Sequence, residues 1–335
     1  MKVVIADSNL LPHRGRFEDR VAPGVDLSWH DSFDIDAIAA DIADATVYVG
    51  GKFPAALAEA SPELRLVHVA GAGTDGVDFD ALSPHTLVAN TFHHERSIAE
   101  YVAATAVLLR RGFLEQDRQL REDRWSSPVY DRTLRQSSSL GSATVGFVGF
   151  GHIGARSWAL LRAFGCTGIA VTGSGSVNAA ENGLAWAAST DRLSDLMTEA
   201  DVVVVSAPLN ERTTGMIGAT ELASLGPDGV LINVGRGPLV QQDALFEALS
   251  TGSLGSAAID VWYDYPSPDG IGAPSPRPFH TLPNVLMTPH SSGITGETFQ
   301  GRVDDITANI GRLAASEPLT NVVAGENFTA EAPRT

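Results

Sequence analysis

Lysine is almost missing from this chain. Lys2 and Lys52 are the only two, and 40 acidic residues outnumber 23 basic ones, for a formal net charge of −17. No basic stripe runs through the sequence, so a nucleic-acid partner is not expected. Cysteine is as scarce: Cys166 stands alone, which leaves no internal disulfide and fits a reducing compartment, the cytoplasm. It follows Gly165 at a helix-to-strand turn and reads as a buried structural thiol. Long apolar runs are lacking too. Stretches such as Val202–Val205 are strand-length and too short to span a bilayer. Met1–Asp7 reads as a strand without a signal-peptide core. No Cys, His, Asp and Glu spacing suggests a metal site. Because the global charge repels anions, an anionic substrate would need local arginine.

What is present suits a globular α/β protein. With 44% hydrophobic and 19% charged residues over 335 positions, two domains are expected. Val3–Ala6, Thr46–Gly50, Leu66–Val69 and Leu87–Ala89 read as buried parallel strands, with helices at Ile35–Ala43 and Pro54–Ala60 between them. Ser97–Arg121 reads as one long helix, since Ile98, Val102, Ala106 and Leu109 recur at helical spacing. Six further strands follow, at Thr144–Val148, Ile169–Val171, Val202–Ser206, Val230–Asn233, Ala257–Asp260 and Val285–Thr288, an order that suits a doubly wound parallel sheet. A helix at Thr298–Leu313 is expected to return to the first domain. The expected division is therefore a substrate domain of residues 1–97 plus 291–335, with a dinucleotide-binding domain of 98–290 inserted in it.

The most informative stretch is Ala143–Gly154. A short apolar strand runs into Gly149-x-Gly151-x-x-Gly154, and a helical segment follows at once. That order is what a dinucleotide needs. The first glycine permits the tight turn, the second lets the backbone approach the pyrophosphate, and the third lets helix pack on strand. Amides at the helix start then face the anion.

Polar residues stand at three successive strand ends. Asn233-Val234-Gly235-Arg236-Gly237 follows one strand, Asp260 ends the next, and Thr288-Pro289-His290-Ser291-Ser292-Gly293 ends the third. Singly, they read as a surface arginine, a helix cap and a turn histidine. Together, behind a dinucleotide fold, they supply what hydride transfer to a keto acid requires. Arginine binds a carboxylate and polarises a carbonyl, and histidine exchanges a proton near neutral pH.

With these elements the chain resembles the D-isomer-specific 2-hydroxyacid dehydrogenases. The resemblance runs through Val69–Asp78, Ser97-Ile98-Ala99-Glu100, Gly149–Gly154, Ala207-Pro208-Leu209, Arg236, Asp260-Val261-Trp262 and Pro289-His290. It implies two flavodoxin-like and Rossmann-like domains, reversible NAD(P)H-dependent reduction of a 2-keto acid to a D-2-hydroxy acid, closure of the domains over the substrate, and a homodimer. It assigns the substrate to Arg236 and the proton to His290. It places the substrate carboxylate near Ala72 and Gly73, with His94 close by, and the pyrophosphate at His152 and Ile153. Asp260 and Gly235 would hold the nicotinamide carboxamide. Further dinucleotide contacts are implied at Thr172, Gly173, Ser174, Ala207, Pro208, Thr213, Val234, Ser292 and Gly293.

The departures from the family pattern carry information. Tyr265 stands where relatives usually have the glutamate that pairs with the histidine. A tyrosine holds the ring but cannot stabilise imidazolium by charge, so His290 is expected to stay nearer 6.5, with Asp264 as a rival partner. Thr172 replaces the acidic residue expected at the ribose, which favours NADPH over NADH. His94 stands where relatives often have asparagine or another polar residue near the substrate. The neutral Tyr265 makes a formate- or phosphite-type dehydrogenase the alternative enzyme. A dinucleotide-sensing corepressor-like protein is the alternative outside catalysis. The proline-rich stretch Tyr263–His280 is expected to act as a lid or an oligomer contact.

Overall fold

The computed structural model describes residues 1–267 and 269–325; Pro268 and the polar tail beyond Gly325 lie outside the described residues. The chain folds into two compact units. Of the described residues, unit 1 comprises Met1–His93 and 295–325, and unit 2 comprises His94–Ile294.

Unit 1 is a six-stranded sheet with helices on both faces. Its elements are β1 (Lys2–Ile5), α1 (Arg14–Arg20), β2 (Asp26–Trp29), α2 (Ile35–Ile42), β3 (Val47–Val49), α3 (Ala55–Ala60), β4 (Leu66–His68) and β5 (Leu87–Ala89). The strand order is β2-β1-β3-β4-β5, all parallel, and a last strand from the chain's end, Val322–Ala324, adds antiparallel to β5. Apart from Lys2 at the start of β1 and His68 at the end of β4, the central strands are buried apolar runs, as a sheet covered on both faces requires.

Unit 2 holds α4 (Glu95–Arg110), α5 (Phe113–Leu120), β6 (Thr144–Val148), α6 (His152–Leu161), β7 (Thr167–Thr172), α7 (Ala179–Asn182), β8 (Trp186–Ser189), α8 (Leu193–Glu199), β9 (Val202–Val205), α9 (Ala219–Leu225), β10 (Val230–Asn233), α10 (Gln242–Thr251), β11 (Ser256–Ile259) and β12 (Val285–Met287). All seven strands are parallel, in the order β12-β11-β10-β9-β6-β7-β8. The order reverses between β6 and β9, and that crevice at the strand C-termini is where such sheets bind ligands. In unit 1 the 20-residue α11 (Gly296–Ala315) follows, and the antiparallel Val322–Ala324 strand is β13.

Three sequence expectations need correction. The helix expected over Ser97–Arg121 is two helices, because Gly112 adopts a left-handed conformation (φ +64°) and its carbonyl starts α5. The expected six strands of the second sheet are seven, since β8 was missed. In the first sheet, β2 and β13 were missed as well. All three are edge strands and half-buried; β2 alternates polar and apolar residues, and the apolar runs of β8 and β13 are only three residues long.

Apolar residues of α11 fall at Phe299, Val303, Ile306, Ile310 and Leu313, one helical stripe that packs against β1, β3 and β4 of unit 1. On the same helix Asn309 pins a fully buried histidine. Its Nδ2 donates to His68 Nε2 (3.0 Å) and to Thr320 O (2.9 Å), while its Oδ1 accepts from Thr320 N (2.9 Å). Burial holds the His68 pKa down at about 4. The unfolded chain takes up its proton near pH 6.5 and the folded chain only near 4. Stability is therefore full above pH 6.5 and is lost as the pH falls between those values. Acidification from pH 7 to 4.5 should cost unit 1 about 2–3 kcal/mol through this group. Urea titrations at both pH values, on wild type and His68→Gln, check this: the pH-dependent loss should shrink by that amount in the variant.

The apolar residues Trp125 and Tyr130 are exposed on the segment between α5 and β6, in edge-to-face contact with each other at 5.5 Å between ring centroids. Beneath that segment lies a cavity of about 790 Å³ lined by Arg110, Arg111, Gln116, Asp201 and Asn284 among others. It opens at the N-terminal ends of β9 to β12, the opposite end of the sheet from the crevice. Among the described residues no helix is long and apolar enough to cross a membrane, and no cluster of three His, Cys, Asp or Glu is arranged to hold a metal.

Candidate active site

The crevice begins where β6 ends. Gly149 adopts φ +94°, and a Cβ there would stand 2.5 Å from the Ala207 amide nitrogen. A Cβ on Gly154 would meet the Gly149 carbonyl at 2.6 Å. Packing within the protein thus accounts for both glycines. It does not account for Gly151, whose Cβ position faces open space with nothing within 4 Å. Gly151 is also the N-cap of α6 and offers no capping side chain, and the first turn, starting at His152 and Ile153, carries no acidic residue. An anion held at those amides would fill that space and satisfy the helix start. The residues present therefore fit a dinucleotide pyrophosphate.

At the end of β7, Thr172 Oγ1 accepts from the Gly175 amide (3.1 Å), and the Ser174 and Ser176 hydroxyls lie 2.7 Å apart. No carboxylate stands at Thr172, Gly173 or Ser174. At the end of β9, Ser206 Oγ donates to Gly149 O (2.9 Å), and Ala207-Pro208 leads into a turn closed by Thr213 Oγ1, which donates to Pro208 O (2.7 Å).

After β10, Val234 is buried and its amide bonds Val205 O. Asn233 Oδ1 accepts from the Gly235 amide (3.2 Å), and Asn233 Nδ2 donates to Arg236 O (3.0 Å). Arg236 Nη1 donates to Gly235 O at 2.9 Å. A Cβ on Gly237 would lie 2.3 Å from Trp262 O, so the chain on the far side of Arg236 is pressed against the neighbouring strand end. The guanidinium therefore leaves a backbone fixed on both sides.

Asp260, after β11, is 1% exposed. Its Oδ1 accepts from Thr288 Oγ1 (2.6 Å) and the Ser291 amide (2.9 Å); its Oδ2 accepts from the Ser292 amide (3.1 Å) and Ser292 Oγ (2.5 Å). Trp262 Nε1 donates to Thr288 O (2.8 Å). Residues on both sides of Pro289-His290 are thus held, and His290 itself sits at φ +55°. A left-handed histidine costs energy that only its surroundings repay. Its Nδ1 lies 2.9 Å from Tyr265 Oη. Tyr265, not the rival Asp264, is the ring's partner. Burial pushes the His290 pKa below its ordinary value. The negative charge of Asp260 pulls it up, and the positive charge of Arg236 pushes it further down. Burial also raises the pKa of Tyr265, which stays a neutral phenol.

Gly293 packs close to His94: a Cβ on it would lie 3.2 Å from His94 Cβ, at the start of α4. Ala72 and Gly73 belong to unit 1, in the loop after β4, where Ala72 O accepts from Asn90 Nδ2 (2.9 Å). The stretch Tyr263–His280 is tied down at Asp264 N to Pro274 O (3.1 Å) and at Phe279, buried against Phe246, Trp262 and Tyr263. Sequence reasoning gave no role of their own to Thr288, Ser291, Asn233, Ser206 and Tyr101. Each is a neutral hydroxyl or amide beside a motif position, and no spacing rule singles it out.

The model of the D-isomer specific 2-hydroxyacid dehydrogenase NAD binding domain matches residues 103–292. The glyoxylate/hydroxypyruvate reductase B of Serratia proteamaculans is 30% identical over 272 residues, 80% of either chain. The NADPH-dependent glyoxylate/hydroxypyruvate reductase of Sinorhizobium meliloti superposes with a TM-score of 0.77 at 26% identity, covering 96% of this chain and 97% of that one. The NAD-complexed D-isomer specific 2-hydroxyacid dehydrogenase of Lactobacillus delbrueckii superposes with a TM-score of 0.78 over 96% of this chain and all of the other, and at 22% identity it shows the fold alone.

Proposed function

The chain belongs to the D-isomer specific 2-hydroxyacid dehydrogenases, NAD(P)-dependent oxidoreductases, and from that premise we propose that it reduces a small 2-keto acid to the D-2-hydroxy acid with NADPH, using Arg236 and His290. The observation that carries this reading is the His290 turn. A histidine is held in a costly conformation at a strand C-terminus, with Nδ1 engaged by Tyr265 and Nε2 left for a substrate oxygen.

Gly151 and the first-turn amides at His152 and Ile153 would hold the pyrophosphate, with Gly149 and Gly154 shaping the turn. Thr172, Gly173 and Ser174 would meet the ribose, and Ala207, Pro208, Thr213, Val234, Gly235, Ser292 and Gly293 would line the remainder. The bound dinucleotide supplies hydride from its nicotinamide. Arg236 binds the substrate carboxylate and carbonyl through its fork and stabilises the oxygen as it gains negative charge. His94 would stand near the substrate. His290 delivers its Nε2 proton to the oxygen, and Tyr265 keeps the ring oriented. Asp260 holds the turn. Its oxygens already serve Thr288, Ser291 and Ser292, so orientation of His290, rather than the carboxamide, is its main role.

The missing acid at Thr172 removes repulsion against a 2′-phosphate, and the neighbouring serine hydroxyls offer it donors. The exposed apolar side chains between α5 and β6 support a homodimer formed through unit 2. Oxidation of NADPH and NADH at 340 nm with glyoxylate, hydroxypyruvate, pyruvate and phenylpyruvate tests the reading. Turnover with at least one keto acid and an NADPH/NADH ratio of kcat/KM above one are expected. Thr172→Asp should lower that ratio about tenfold or more, since one unscreened charge pair near a phosphate is worth upward of 1.4 kcal/mol. A ratio below one in the wild type would refute the preference. One observation favours a second reading: with a neutral Tyr265 partner the histidine suits formate, whose oxidation needs no proton exchange at carbon-bound oxygen. Absorbance rising at 340 nm with formate and NAD(P)+, and no turnover of any keto acid, would select it.

A further inference from the structure

Helix α4 reaches the His290 turn through one side chain. Tyr101 Oη lies 3.0 Å from Thr288 Oγ1, which in turn lies 2.6 Å from Asp260 Oδ1. Proton counting fixes the direction of both bonds. A carboxylate only accepts, so Thr288 donates its single hydroxyl proton to Asp260. Toward Tyr101 the threonine can then only accept, and Tyr101 must donate. Tyr101 is mostly buried, and burial pushes its pKa up to about 12, so the donor keeps its proton across the neutral range. The chain Tyr101 to Thr288 to Asp260 ends on the carboxylate that also takes the Ser291 and Ser292 amides. It therefore grips the loop before Pro289 and after His290 at the same time.

We propose that Tyr101 is a positioning residue for His290, holding its left-handed turn in place through Thr288 and Asp260. The physical case is one of competing preferences. A non-glycine residue at φ +55° gains by relaxing toward negative φ. The bonds on either side and the Tyr265 contact to the ring oppose that relaxation, and the outermost of the flanking bonds comes from another element, α4. Without the tyrosine donor, Thr288 Oγ1 is free to rotate and the grip on the near side of the turn slackens. His290 then drifts from Tyr265 Oη, and a displacement of about 1 Å at a reacting group is enough to cost tenfold or more in rate. The charged groups that act on His290, Asp260 and Arg236, and its partner Tyr265 are not themselves substituted in Tyr101→Phe, so a change in its titration reports its position.

The inference rests on the reading of His290 as proton donor, and its test is built to fail separately. His290 is titrated by NMR in the cofactor-free protein, alongside kcat, KM and melting temperature, for wild type, Tyr101→Phe, Thr288→Val and Thr288→Ser. Tyr101→Phe should lower kcat about tenfold with KM for keto acid and dinucleotide within about twofold, and should move the His290 midpoint upward, toward 6.5. Thr288→Val should do the same more strongly, and Thr288→Ser, which keeps the hydroxyl, should restore both readouts. If Tyr101→Phe lowers the melting temperature but leaves the His290 midpoint and kcat at wild-type values, the tyrosine only packs and the proposal is wrong. If the wild type reduces no keto acid yet the midpoint moves as expected, the positioning role stands and the functional reading falls.

Discussion

Arg236→Gln should lower kcat/KM for keto-acid reduction about a thousandfold while leaving dinucleotide affinity within about threefold. Two losses combine. The glutamine amide cannot form the two-pronged bond to a carboxylate, and it carries no charge to stabilise the oxygen that becomes an alkoxide. Removal of a single preorganised donor to such an oxygen typically costs 10² to 10³ in rate, and loss of a charge-assisted fork adds to the cost in binding. The structure argues that the arginine is preorganised. Asn233 bonds the backbone on both sides of it, Gly235 O holds Nη1, and Gly237 is wedged against Trp262 O. Of these contacts only the Nη1 bond to Gly235 O uses the guanidinium; the Asn233 bonds and the Gly237 packing involve the backbone and remain in the variant. Arg236→Lys is the informative control. It keeps the charge but not the fork, and should recover only part of the loss. Steady-state kinetics, with fluorescence titration of NADPH, decide the matter. A kcat/KM within tenfold of wild type in Arg236→Gln would remove this residue from the chemistry.

Much of this arrangement is legible in the sequence because the strands of a parallel sheet covered on both faces are continuous apolar runs. Val202–Val205 and Val230–Asn233 announce themselves, and the residues that follow them must then lie at strand C-termini, where ligands bind. Arg236, Asp260 and His290 could be placed together on that ground alone. The same logic explains what stayed hidden. Edge strands β2 and β8 are half solvated: Asp26–Trp29 alternates polar and apolar residues, and Trp186–Ser189 ends on a serine after only three apolar ones. Gly112 breaks a helix whose apolar spacing continues almost through it. The job of Asp260 was hidden for a different reason. Its partners Thr288, Ser291 and Ser292 are ordinary polar residues some 30 positions away, and only the register that aligns Ala257 with Val285 brings them within reach. Gly151 is the converse case. Its place in the motif is plain in the sequence, but only the empty surroundings of its Cβ position separate it from Gly149 and Gly154, which the protein's own packing demands.

His290→Asn should reduce kcat for the keto acid by 10² to 10⁴, the range that a positioned general acid contributes, and the pH profile should report the charge state of the ring. Reduction needs imidazolium. In this fold burial and the Arg236 charge lower the His290 pKa, and Asp260 only partly compensates. The sign follows: kcat/KM for reduction is full below that depressed pKa and falls tenfold per unit as the pH rises through it, so the decline sets in below pH 6.5. Oxidation of the hydroxy acid needs the neutral ring and runs the other way, full at pH 7 and lost on acidification. Tyr265 lies 2.9 Å from Nδ1 and is neutral, so no opposite charge at that nitrogen favours the charged ring. In Tyr265→Glu a carboxylate would take the place of the phenol. An opposite charge at hydrogen-bond distance raises a histidine pKa by about one unit or more, so the reductive limb should move to higher pH by that amount while the low-pH plateau stays put. Profiles of wild type and Tyr265→Glu from pH 5 to 9, with His290→Asn as the flat baseline, make the comparison. A limb that stays where it is in the glutamate variant would mean that the titrating group is not His290, or that Tyr265 does not set its charge state in solution.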